Sequence, residues 1–350
     1  MTPIERLNYA SRQLNIYIGI FFFLLGVIGC LWNILIFRHY VFRPSSCCRY
    51  MLVGSIASLI QLFFGLLIRI LSSGFDLDLT FENVAWCKIR NYTTTCASLI
   101  ALSCLVWTAM DRFFSTCRQI QWRYLNTVRL ANQISFLTVM FWSLLSIPTL
   151  IYTIPGQTRG VCATSSKIWG VLALYFFNLF CYGIFPWFFM SLFGILTLKN
   201  LRTMHHQRIQ PFSTIVITRM ARIDHQLTSM LFLQIIFSLI SSVPFCIETF
   251  YQYTSQTMPK TDYRRAQEGL AQQVFRLAFY LNYISMFYVN YLSSPIFRRI
   301  AWKVVENLFK NRIEISRGVT VVHHQTSAKH THRRNVNIST IYTPYRTTSV

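Results

Sequence analysis

The sequence predicts an all-α membrane protein, a bundle of seven transmembrane helices with a short amphipathic helix after the last. Three observations carry this. Of 350 residues, 53% are hydrophobic, with 30 Phe and 18 Tyr, and 13% are charged, where a soluble domain carries ~25%. Seven apolar stretches reach or approach the ~20 residues which, rising ~1.5 Å each, cross a ~30 Å hydrocarbon core. The 33 basic residues, against 11 acidic, give +22, but they sit between or after those stretches. That placement suits the loops of a membrane protein and excludes a nucleic-acid-binding face.

The first stretch, Ile16–Phe37, follows about fifteen residues read as a short external N-terminus. It exceeds the ~7–15-residue core of a signal peptide and no small-residue cleavage site follows it, so it is a retained span. The second is Tyr50–Leu71, and the third is Thr93–Met110 extended at both ends. Ile134–Ile154, Ile168–Leu198, Leu227–Tyr251 and Val274–Phe297 complete the set. The domain of spans therefore covers 16–297. Pro186 and Pro244 each remove a backbone hydrogen bond inside a span and bend it.

Basic residues alternate across the short loops. Arg38, Arg43 and Arg49 follow span one, Arg112, Arg118 and Arg123 span three, Lys199 and Arg202 span five, and Arg298 and Arg299 span seven, whereas Asp76, Asp78, Glu82, Asp262 and Glu268 lie on the other side. The positive-inside rule places the amino terminus outside and the carboxyl tail in the cytoplasm. Among ten cysteines, Cys87 at the outer end of span three and Cys162 between spans four and five lie on the oxidising side and form the expected disulfide.

Further residues fall in a familiar order: Asn33 in span one, Arg112 twenty-five positions after Cys87, Trp142 and Pro148 in span four, Pro186, Pro244, and Ser293-Ser294-Pro295-Ile296-Phe297-Arg298-Arg299 leading off span seven. On these residues the chain resembles the rhodopsin-like (class A) G-protein-coupled receptors over roughly 16–310. The resemblance implies an extracellular ligand, a heterotrimeric G protein as partner and a plasma-membrane location. It also implies a role for Arg112. A guanidinium near the inner membrane face needs carboxylates, which Asp111 and, at the start of span six, Asp224 supply. In the family such an acid clamps the arginine at rest, and outward motion of helix six opens a pocket for the G protein.

Several of the family's switch residues are absent. Ser58 stands in place of the helix-two aspartate, Ser242 in place of tryptophan two residues before Pro244, and Gly194 in place of the span-five tyrosine. Met286 to Asn290 replaces the helix-seven Asn-Pro-x-x-Tyr motif. Without the aspartate no carboxylate remains to hold sodium, leaving Tyr288, Tyr291 and the Arg112–Asp224 pair to switch.

Thr94, eighteen residues before Arg112, occupies the position of the aspartate that pairs with amine ligands in the family, and span seven has no lysine for retinal. The outer halves instead carry Arg69, Asn178, Glu248, Arg276 and Tyr280. Charges at membrane depth usually face the bundle interior, which makes these the ligand pocket, although Glu248 and Arg276 have internal pairing as an equal alternative. A short peptide with an arginine and an amidated or carboxylate end matches that lining, as does a similarity to invertebrate neuropeptide receptors. Thr158–Ala163 reads as a β-ribbon over the pocket.

After the spans, residues 298–312 alternate apolar Ile300, Val304, Leu308 and Phe309 with Arg298, Arg299, Lys303 and Lys310, which suits an amphipathic helix on anionic lipid. The tail 313–350 is too polar to fold and carries clustered Ser and Thr that, in the family, receptor kinases phosphorylate to recruit arrestin. Its histidines 323, 324, 330 and 332 have no ordered scaffold for a metal. No convergent titratable groups or phosphate loop suggest an enzyme or a cofactor. A seven-span transporter or channel, or a non-coupling seven-span ligand-binding protein, remains the alternative reading.

Overall fold

The computed structural model describes residues 2–75, 77, 83–117, 119, 121, 126–156, 162–207, 215–255 and 258–306, with backbone alone for 201–202, 204–207, 215–225 and 227. Met1–Ala301 forms one unit and Trp302–Val350 a second, of which 302–306 are helical. The rest of the expected amphipathic helix and the whole 313–350 tail, with its phosphorylation sites and histidines, lie outside the described residues.

The first unit holds seven long helices among the described residues. Helix α1, Pro3–Phe37, opens on a capping box in which Thr2 and Glu5 exchange hydrogen bonds of 2.9 and 3.3 Å, with Pro3 pre-set at the first turn. Nothing breaks it before Phe37, so from Pro3 on the segment expected as a short external N-terminus over 1–15 is helical and continuous with the first span. Helix α2, Ser46–Gly74, changes to π-helical pitch over Leu62–Leu67. Helix α3, Val84–Thr116, is capped by Asn83, which accepts from Ala85 and Trp86. Helix α4, Val128–Tyr152, is capped by Thr127 and steps at Ser146, just before Pro148.

Helix α5 runs as Lys167–Leu172, a π-helical Ala173–Ile184 and Phe185–Gln207. Helix α6 is Ile215–Thr254 with Pro244 inside it, and α7 is Asp262–Ser293. The last span was expected to reach Phe297, but Pro295 has no amide hydrogen to continue the ladder, and Phe297 lies in the next short helix. Strands β1, Thr153–Pro155, and β2, Cys162–Thr164, pair antiparallel with Pro155 opposite Cys162. The ribbon thus exists with shifted bounds: its second strand starts at the cysteine, and 157–161 lie outside the described residues.

Six of the helices are long and apolar enough to cross a membrane; α7 is equally long but more polar. Its buried face explains the difference: Gln273, Asn282, Ser285 and Asn290 point into the bundle, where α7 packs between α1 and α6. Elsewhere α2 packs on α3 and α4, and α3 on α5. The core runs along this centre, with Leu62, Leu66, Leu99, Tyr283 and Ile284 toward one end and Val106, Met190, Leu231 and Ile235 in a second cluster. Apolar residues also cover the outside. On α1, Phe21, Leu24, Ile28, Leu31 and Leu35 are exposed at alternating three- and four-residue steps, one helical face turned to lipid.

Candidate functional site

A cavity of about 310 Å³ opens among α2, α3, α5, α6, α7 and Cys162. Cys87 and Cys162 are disulfide-bonded, with 6.1 Å between their Cα atoms, and this bond fastens the ribbon to α3 beside the cavity. Of the residues the sequence singled out, Arg69, Thr94, Arg276 and Tyr280 line the cavity, while Asn178 and Glu248 do not. The carbonyl of Asn178, freed by the π-helical pitch of α5, accepts from the Cys246 thiol at 3.6 Å. Both carboxylate oxygens of Glu248 are buried without a hydrogen-bond partner at bonding distance, and Gln252 and the charge on Arg276 are the polar influences nearest to it.

Arg69 is held rather than free. Its guanidinium donates to Gln273 Oε1 at 3.0 and 3.3 Å, Gln273 donates to Asn15 at 2.7 Å, and Asn15 donates to the Arg69 carbonyl at 3.3 Å. This ring of amides ties α1, α2 and α7 together and aims the charge at the cavity. A third lining cation, Arg90, was not singled out by the sequence reading, although it falls in the outward extension of span three. It lies three residues after Cys87, on the same helix, and donates to the Phe64 carbonyl at 3.3 Å inside the π-helical turn of α2. The disulfide position alone was signal enough to place it facing the pocket mouth.

At the far end of α3, Arg112 is fully buried and donates to Asp111 at 2.8 Å. Asp224 lies on α6, its side chain outside the described residues. Between the cavity and this pair the helices are pinned by indole hydrogen bonds: Trp142 donates to Ser103 at 2.7 Å, Trp107 to Thr138 at 3.0 Å, and Trp187 to Ser242 at 2.8 Å. The last bond is informative, since Trp187 follows Pro186 directly and reaches from α5 to the serine that precedes Pro244 on α6.

Ser58, Asn282 and Met286 line a void of only about 10 Å³, and Asn33 and Asn290 keep buried amide atoms without hydrogen-bond partners. Near the start of the helix after α7, Gln226 of α6 accepts from the Ser294 hydroxyl at 2.8 Å and the Ile296 amide at 3.1 Å. Among the described residues no group of three metal-ligating side chains occurs.

No curated protein matches this sequence. Residues 50–286, more than half of the chain, match the family of 7 transmembrane receptors (rhodopsin family), whose members are receptors and not enzymes. With its apolar helices, ribbon-anchoring disulfide and buried Asp-Arg pair at the end of α3, the chain belongs to the rhodopsin family of seven-transmembrane receptors: it is a multi-pass membrane protein of signal transduction.

Proposed function

We propose that the receptor binds a short extracellular peptide in the outer cavity and activates heterotrimeric G proteins through movement of α6. The observation that carries this reading is the construction of α3. One helix bears the disulfide and Thr94 at the cavity and the Asp111–Arg112 pair at its other end. The twenty-five residues from Cys87 to Arg112 span about 37 Å at ~1.5 Å per residue, the depth of a bilayer. In this reading the amino terminus is extracellular and the carboxyl tail cytoplasmic, where kinases and arrestin act on its Ser and Thr residues.

The mechanism is a population shift. Phe245 of α6 faces the cavity together with Thr94 of α3 and Tyr280 of α7, so a ligand wedged between them favours one arrangement of α6 over another. At the inner end, Arg112 shared between Asp111 and Asp224 holds α6 in; release of Asp224 lets α6 move out and exposes Arg112 to the G protein.

The test is G-protein activation in cells expressing the chain, against a library of peptides in amidated and free-acid forms with amine controls. A peptide response lost in Arg112→Ala supports the reading, and Asp224→Asn should raise basal activity. Ligand-dependent flux without nucleotide exchange, or silence at good surface expression, would sink it.

A further inference from the structure

We infer that the outer cavity is an anion site, in which Arg276 and Arg69 receive a carboxylate group of the extracellular ligand. This deepens the receptor reading and rests on it, since it takes this cavity as the place where the ligand binds. The described lining contains the guanidinium groups of Arg69, Arg90 and Arg276 and no acidic side chain. The charges of Arg276 and Arg90 both act on Arg69, so like charges face one another across the same small space.

Apart from Glu248, the acids of this unit whose side chains are described are engaged elsewhere. Asp111 is bonded to Arg112, Glu268 to Lys260 and Arg264, Asp262 to Arg265, and Glu5 to Thr2. Glu248 stands outside the lining; its charge acts on Arg276 from a distance, but its oxygens make no hydrogen bond to that guanidinium. The partner of Arg69 within the protein is the neutral amide of Gln273, which orients the guanidinium without cancelling its charge.

Positive charge gathered at membrane depth is costly, and a ligand carboxylate removes the cost by pairing with a planar guanidinium through two parallel hydrogen bonds. Tyr280 and the Thr94 hydroxyl add polar groups to the lining, and Phe245 and Phe279 add apolar surface. The volume, at the small end of the ~300–1,000 Å³ of ligand sites, suits one terminal residue or a small acid rather than a whole peptide. Two sources offer this chemistry: the free carboxyl terminus or acidic side chain of a peptide, and a small organic acid.

The experiment is thermal unfolding of the purified full chain in lipid nanodiscs, followed with a thiol-reactive dye, since seven of the eight cysteines outside the Cys87–Cys162 bridge are buried and become reactive on unfolding. The probes are N-acetylphenylalanine, benzoate, hexanedioate, inorganic phosphate and a set of free-acid peptides, each beside its amide or, for phosphate, beside chloride at equal ionic strength. Carboxylates are expected to raise the midpoint saturably, as a ligand of the native state must, while matched amides bind about 30-fold more weakly or less, the loss that follows when a buried charge is left without its partner. The effect should vanish in Arg276→Gln, persist in part in Arg276→Lys, and be undiminished in Glu248→Gln.

Responses from peptides alone or from small acids alone both support the anion site and identify its source. No carboxylate shift in the wild-type chain, or equal shifts by acids and amides, overturns it without requiring any variant to fold. A shift with no ligand-dependent nucleotide exchange would keep the anion site and sink the signalling reading; activation by a ligand indifferent to amidation would do the reverse.

Discussion

Arg112 and Asp111 are both buried and bonded at 2.8 Å, so breaking the pair takes a charge-assisted bond from a buried guanidinium. Asp111→Asn is expected to destabilise the chain by about 3 kcal/mol, read as a lower melting midpoint and surface expression than Glu5→Gln in parallel. Gly26 is a second sensitive position: a Cβ there would lie 2.6 Å from Leu62 Cδ1 and 3.0 Å from Ile284 Cγ1. Gly26→Val should cost about 1–3 kcal/mol through overpacking, and an unchanged midpoint would show that α1 can shift.

Beyond the predicted span of α7, the Lys260 ammonium donates to Glu268 at 2.5 Å and, with Tyr251 and Arg264, holds its carboxyl below the usual 4.5. A depressed carboxylate stabilises the fold above its unfolded value, and the contribution is lost as pH falls through the lowered one. The midpoint difference between wild type and Glu268→Gln should therefore be full near neutrality and close in acid below 4.5. A difference that persists there would remove the ion pair from the account.

Among the elements, α6 is the one whose movement the proposed function depends on, and Gln226 fastens it to the turn after α7 through Ser294 and Ile296. Gln226→Ala is expected to raise basal nucleotide exchange several-fold, since outward motion of α6 must break both bonds; unchanged basal activity in well-expressed protein argues that the contact follows α6 rather than restrains it. The helices themselves were legible in the sequence because the period of their apolar faces is inverted but intact, as along Phe21 to Leu35 on α1. What was not legible was local pitch. The π-helical turn that presents the Phe64 carbonyl to Arg90 leaves no mark in composition, and the extension of α1 to Pro3 depends on a four-residue cap that a search for apolar runs passes over. The cavity was half visible: buried charges such as Arg69 and Arg276 announced themselves, but only the packing shows that Glu248 and Asn178 stand outside the lining.

For the whole molecule, the disulfide joins the ribbon to α3 across a separation of 75 residues. Cys87→Ser should destabilise the chain by roughly 2–5 kcal/mol and, because Cys162 lines the cavity, weaken ligand binding more than a lipid-facing variant such as Phe136→Leu does. Equal losses in the two variants would leave the ribbon with no part in recognition.

The polarity of α7 bears on how the chain is made. Among the described residues six helices are apolar enough to enter a membrane on their own merits, whereas α7 carries Gln273, Arg276, Asn282 and Asn290 toward the bundle, against α1, α2 and α6 or the outer cavity. It is expected to be refused by the insertion machinery when presented alone and accepted when α1 to α6 precede it, a difference that a glycosylation-mapping assay reads directly; equal insertion in both contexts would refute this. The earliest-made helix is then a scaffold for the last, and a lesion in α1 would leave its trace at the far end of the chain, as misplaced topology of α7.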